Sequence, residues 1–139
     1  MSDAFVDPSR ETFVELKALP QDHAVEMLNL VRLRERAVYE DGREATGKEA
    51  YAAYGRESAP IFERVGGRIV WSGRPEFMVI GPEKERWDVA FVAHYPSGQA
   101  FLDMVYDPDY RAIVHHRQAA VETSRLIRTK PREAEQGFG

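Results

Sequence analysis

The chain reads as an α+β domain, a four-stranded antiparallel sheet with two helices on one face. Three observations predict it. An apolar run from Trp87 to Tyr95 stops at Pro96-Ser97, and an amphipathic segment follows; that is a strand feeding a crossover helix. A second such pair stands earlier, where the strand-like run Ala24 to Leu33 precedes a helix opened at Thr46. Between the two pairs, Gly66-Gly67 introduces a short strand, Arg68 to Gly73. The order is βαββαβ after one leading helix, the arrangement of split βαβ units.

The elements follow in turn. Asp7-Pro8 opens a leading helix, with Asp as N-cap and Pro at the first helical position. Phe13, Leu16 and Leu19 form its apolar stripe, and Pro20 ends it. In the first strand Val25, Met27, Val31 and Leu33 share one face while Leu28 and Leu30 occupy the other, so cover is expected on both sides. Residues 34–45 form a charged connector with a turn at Asp41-Gly42. Thr46 and Glu49 have the spacing of a capping box. The helix behind them buries Ala50, Tyr51, Tyr54, Ile61, Phe62 and Val65, with a kink or break expected before Pro60. Gly66-Gly67 stops it through a left-handed cap.

Residues 74–85 make a hairpin-like excursion turning at Gly81-Pro82, with a short extra strand over Phe77 to Ile80. In the strand that follows, Trp87, Val89, Phe91, Ala93 and Tyr95 share one face; Asp88, Ala90, Val92 and His94 share the other. Ser97 caps the next helix, Asp107-Pro108 restarts it, and Ser124 to Thr129 is the last strand. Residues 24–129 are the core of a single domain spanning 1–139. Residues 1–20 are a helical extension, and 130–139 a polar, flexible tail.

Composition sets outer limits. A chain of 139 residues, 43% hydrophobic and 30% charged, can bury a core without staples. A net charge of −4 supplies no surplus to neutralise phosphates, so nucleic acid is not an expected partner. With no cysteine, disulfides, thiolate catalysis and cysteine-based zinc sites are out. No apolar run reaches the roughly 18 residues needed to span a bilayer, and the first residues lack the basic and apolar regions of a secretory signal. A cytoplasmic location is expected. Leu28, Leu30, Val70, Ala90 and Val92 are poor residues for a water-facing sheet, so two chains are expected to pack sheet to sheet as a two-fold homodimer.

Gly66-Gly67 before a strand, the run Val92-Ala-His-Tyr-Pro-Ser-Gly-Gln-Ala-Phe101 and Asp107-Pro-Asp-Tyr-Arg111 resemble the domain-of-unknown-function family 1330. The resemblance covers about residues 24 to 129. It implies a ferredoxin-like subunit of the dimeric α+β barrel superfamily, and no activity. One departure stands in the excursion, where members often carry Glu-Gly and this chain has Ile80-Gly81; a role for that Glu does not carry over.

Several residues could bear chemistry. Asp88 and His94 share a strand face directed into the expected barrel, but lie roughly 20 Å apart by strand rise, so they cannot share one proton. Each is a catalytic candidate, His94 as an acid–base group, set against an ordinary place at a strand end. Arg117 lies on the helix side that carries Tyr110, Ile113 and Val114. It could anchor an anionic ligand or pair with a carboxylate such as Asp88. Tyr54, Trp71, Tyr95 and Tyr110, with Tyr51, could line an aromatic pocket between helices and sheet, or simply be core. His116 is a further ligand-binding candidate. Adjacent helical residues diverge by about 100°, so His115-His116 is not a metal pair, and no metal or cofactor is expected. Gly66-Gly67 follows a helix, the reverse of a phosphate loop, and capping accounts for Ser97 without a nucleophile elbow. Three function classes stay open: a binding module for a small organic or anionic ligand, a cofactor-free enzyme of the oxygenase or isomerase kind, and a structural protein with no ligand.

Overall fold

The computed structural model describes residues 4–138; residues 1–3 of the N-terminal extension and Gly139 of the tail lie outside the described residues. Nine elements follow in order: α1 (Arg10–Ala18), β1 (Val25–Leu33), α2 (Gly47–Arg64), β2 (Arg68–Gly73), β3 (Val89–Tyr95), α3 (Gly98–Tyr106), α4 (Pro108–Ile113), α5 (His115–Ala120) and β4 (Val121–Thr129). The strands lie in the order β2-β3-β1-β4, every neighbouring pair antiparallel. This is the ferredoxin-like topology. No helix among the described residues is long and apolar enough to cross a membrane.

Register assigns the faces. Val25, Met27 and Val31 of β1 pair with Tyr95, Ala93 and Val89 of β3, and this face carries the helices. Glu26, Leu28 and Leu30 pair with His94, Val92 and Ala90 on the open face, joined by Ile127 of β4 opposite Leu28. The first strand therefore has apolar residues on both sides, as its composition predicts.

Local chemistry sets the helix ends. α1 begins two residues later than Asp7-Pro8 predicts: the Ser9 hydroxyl accepts from the Thr12 amide at 3.1 Å. The Asp7 carboxylate is engaged elsewhere, with Gln118 at 3.3 Å and Arg117 at 3.9 Å. At α2 both bonds of the Thr46–Glu49 capping box form, at 3.0 and 2.8 Å. A Cβ on Gly47 would lie 1.8 Å from the Arg34 carbonyl oxygen, so only glycine lets the helix start against that strand exit. α2 runs unbroken through Pro60, so the break expected there does not occur. Pro60 and Arg56 both face solvent, where water can satisfy the carbonyl that loses its amide. Gly66, at φ 86°, closes the helix. Its amide bonds the Glu63 carbonyl, and that of Gly67 bonds Phe62, completing a Schellman motif.

Two further expectations change. Phe77 to Ile80 is not a strand; apolar residues alone do not make one without a ladder partner, and Phe77, Val79 and Ile80 stand more than 80% exposed. β4 starts at Val121 rather than Ser124, and its register against β1 shifts between Arg32 and Leu33.

The core is divided. At one end of the sheet Val25, Met27, Ala93 and Tyr95 pack with Ile61, Ala100 and Met104. At the other, Val31 and Val121 pack with Ala50 and Ala120. Mid-sheet residues, Asn29 and Phe91 among them, lie between the clusters.

Candidate functional site

The gap between the two clusters is a cleft of about 1450 Å³ between the helix-bearing face of the sheet and the helices. Asn29, Phe91 and Leu126 form its floor; Tyr51 and Tyr54 of α2 and Tyr110 of α4 line its wall. The N-terminal segment, from Phe5 to Leu19, contributes the rim. The volume is ample for an organic molecule, since ligand pockets commonly enclose about 300–1,000 Å³.

Its polar groups are few. The hydroxyls of Tyr54 and Tyr110 hydrogen-bond at 2.8 Å. One O–H is used inside that pair, which leaves one to donate elsewhere. Burial raises the pKa of Tyr51, Tyr54, Tyr95 and Tyr110 above the usual tyrosine value, with Arg117 opposing it at Tyr51, Tyr54 and Tyr110. These phenols stay protonated at neutral pH and act as donors, not as bases. The Tyr95 hydroxyl is already turned to Met104 Sδ at 3.6 Å. Asn29 donates to the Met27 carbonyl at 3.0 Å.

Arg117 is the buried charge of the cleft, its side chain 14% exposed. Nη1 donates to the Val6 carbonyl at 2.5 Å and Nη2 to Ser124 Oγ at 3.2 Å. It does not pair with Asp88. That carboxylate instead accepts from the Leu33 amide at 2.7 Å, fastening the end of β1.

Of the residues singled out from sequence, Tyr51, Tyr54, Tyr95, Tyr110 and Arg117 come together around the cleft. The others lie elsewhere. His94 is on the open face, its Nδ1 2.9 Å from Glu26 Oε2 across the β1–β3 pair. Trp71 is also on the open face, opposite Val92. The register shift between Ile69 and Trp71 inserts a bulge at Val70, which resets the alternation and turns the indole away from the helices. His116 sits behind α2: Nδ1 is 2.7 Å from the Tyr39 hydroxyl and Nε2 3.1 Å from Glu57. No group of three or more potential metal ligands occurs among the described residues.

Sequence reasoning missed Asn29, Ser124 and the N-terminal segment. Asn29 had a signal: it is the one polar residue in the alternation Val25, Met27, Asn29, Val31. The N-terminal segment had none, because the partners that hold it lie far along the chain, from 89 residues for Lys17 and Tyr106 to 118 for Phe5 and Thr123.

Strand order and connection place the protein among ferredoxin-like α+β proteins. Within that class the chain belongs to the family described as Domain of unknown function (DUF1330), which matches residues 42–129. Two crystal structures are strongly similar over 94% of this chain. One is the RPA0582 protein of unknown function from Rhodopseudomonas palustris, 56% identical over 99% of that chain with a TM-score of 0.91. The other is methylated RPA0582 protein, 57% identical over 96% of that chain, also with a TM-score of 0.91. SnoaB, a cofactor-independent oxygenase from Streptomyces nogalater, is similar in fold. It is 15% identical, with a TM-score of 0.53 over 83% of this chain and 99% of that one. No curated protein matches this chain.

Proposed function

We propose that this protein binds a small, largely apolar organic ligand in the cleft between sheet and helices. The observation that carries the reading is the unfilled middle of the sheet. Phe91 and Leu126 form an apolar floor facing a wall of tyrosines, and a well-packed domain ordinarily closes such a space. The spare O–H of the Tyr54–Tyr110 pair would orient an acceptor on the ligand. A cofactor-independent oxygenase shares the fold, but fold alone does not transfer activity. Binding is favoured over turnover because the tyrosines hold their protons and His94, Asp88 and His116 lie outside the cleft lining.

The protein acts, in this reading, as a single cytoplasmic domain that pairs with a second copy through the open sheet face. Leu28, Leu30 and Val92 are partly exposed there, Trp71 is 53% exposed and Ile127 49%, a continuous apolar surface that a symmetric partner would cover.

Titration with 2-naphthamide, a neutral aromatic probe, followed by amide NMR shifts, tests the ligand reading. Changes centred on Asn29, Phe91, Tyr54 and Tyr110 are expected. Changes confined to the open face, or none at millimolar probe, would refute it.

A further inference from the structure

The cleft is not electrostatically neutral. Arg111, Arg117, Arg125 and Arg128 border it, against two carboxylates, Asp7 and Glu15, both on the N-terminal segment. Arg117 is the most informative of these. A guanidinium offers five N–H donors, yet among the described residues this one has only the Val6 carbonyl and the Ser124 hydroxyl as hydrogen-bond acceptors. The carboxylate paired with it is Asp7, at 3.9 Å and half exposed. Burying a cation with so little countercharge is costly.

The segment that occupies Arg117 is tied down at its two ends. At the first, the Phe5 amide donates to Thr123 Oγ1 at 3.0 Å, and the Ser124 amide and hydroxyl both donate to the Phe5 carbonyl, at 2.8 and 2.7 Å. At the second, Arg128 holds the Pro20 carbonyl, and its Nη1 donates to Gln21 Oε1 at 3.3 Å. Between them α1 has no buried residue and rests on α3 through Phe13 and Lys17 against Tyr106. Proline stands on either side of α1, at Pro8 and Pro20. A segment with polar ends and a thinly buried middle belongs to the low-stability part of a fold.

We propose that Arg117 reads the carboxylate of an aromatic or otherwise apolar acid, and that residues 5–20 form a strap whose Val6 carbonyl and Asp7 side chain occupy that position until the acid displaces them. The inference rests on the ligand reading above and names the class of ligand. The acid's carboxylate takes two parallel N–H bonds from Arg117, a geometry that one carbonyl cannot reproduce. Its apolar body lies over Phe91, and the strap loosens as its anchor is taken.

Calorimetry with 2-naphthoate and 2-naphthamide, which differ in charge at one group, separates the two readings. Wild-type protein is expected to bind the naphthoate at least about tenfold more tightly. Arg117→Met should abolish that preference, lowering the naphthoate affinity to the level of the naphthamide, while an unchanged far-ultraviolet circular dichroism spectrum reports a folded protein. Asp7→Asn should tighten naphthoate alone by about fivefold, the scale of one charge removed from about 4 Å in a near-aqueous setting. Hydrogen exchange at the Phe5 and Ser124 amides should quicken when naphthoate binds. Equal affinity for both probes would overturn the carboxylate role and leave the cleft reading standing; binding of neither would overturn both. A preference that survives Arg117→Met removes Arg117 from recognition. If Arg117→Met does not fold, unchanged naphthoate affinity in Asp7→Asn and unchanged exchange at Phe5 refute the strap.

Discussion

Replacing Gly55 by alanine should stabilise this protein, and the reason is the cleft itself. Gly55 stands in the interior of α2 and lines the cleft wall. Its φ is not positive, so alanine adopts the same backbone without strain. A Cβ built there meets no atom within 4 Å. Only helix propensity and unfolded-state entropy are then in play, and both favour alanine, together by about 1 kcal/mol. For a chain of this length the unfolding entropy is about 0.3 kcal/mol/K, so the melting temperature should rise by about 3 °C. Urea denaturation and calorimetry of the two proteins measure it. Gly55→Leu extends the test, because leucine keeps nearly the helix propensity of alanine but projects further into the cleft. It should retain the added stability and weaken 2-naphthamide binding. A fall in stability from glycine through alanine to leucine would mean that the space is filled in solution, and the cleft argument would fail with it.

Two further outcomes follow from the geometry. Burial lowers the pKa of His116 below its ordinary 6.5, with Glu57 opposing. Above pH 6.5 neither the folded nor the unfolded chain protonates it. As pH falls through 6.5 the unfolded chain takes up a proton that the folded one refuses, so stability declines down to the lowered folded value. Urea midpoints at about pH 7.5 and about pH 5.5 should therefore diverge less in His116→Gln than in the wild type; equal divergence would remove His116 as the source. On the open face, Ile127→Asp places a charge opposite Leu28 in the proposed dimer contact. Sedimentation at micromolar concentration should show the wild type at about twice the chain mass and the variant at one. A wild-type monomer, or a variant dimer, would refute pairing through that face.

Much of the fold was legible because it depends on local chemistry. The Thr46–Glu49 box, the Ser97 cap, Asp107-Pro108 and Gly66 each act through atoms a few residues away. The parity of β1 and β3 was equally readable, since uninterrupted alternation assigns Val25, Met27, Phe91 and Tyr95 to one face. The site was only half legible. Tyr54, Tyr95, Tyr110 and Arg117 could be grouped because helix and strand periods placed them towards the same layer. Trp71 could not be, since one inserted residue in β2 reverses its direction and a bulge has no reliable signature in a single strand.

What the sequence determined by itself is thus the order of the elements, their caps and the apolar faces, all set by contacts of short range. Only the tertiary structure decided that the core splits into two clusters with open space between them. It alone decided that Asp88 serves a strand end and His116 a tyrosine, and that residues 5–19 line the cleft with Val6 bonded to Arg117. Those outcomes depend on pairings such as Val6 with Arg117, 111 residues apart, and no periodicity along the chain encodes which distant partners will meet.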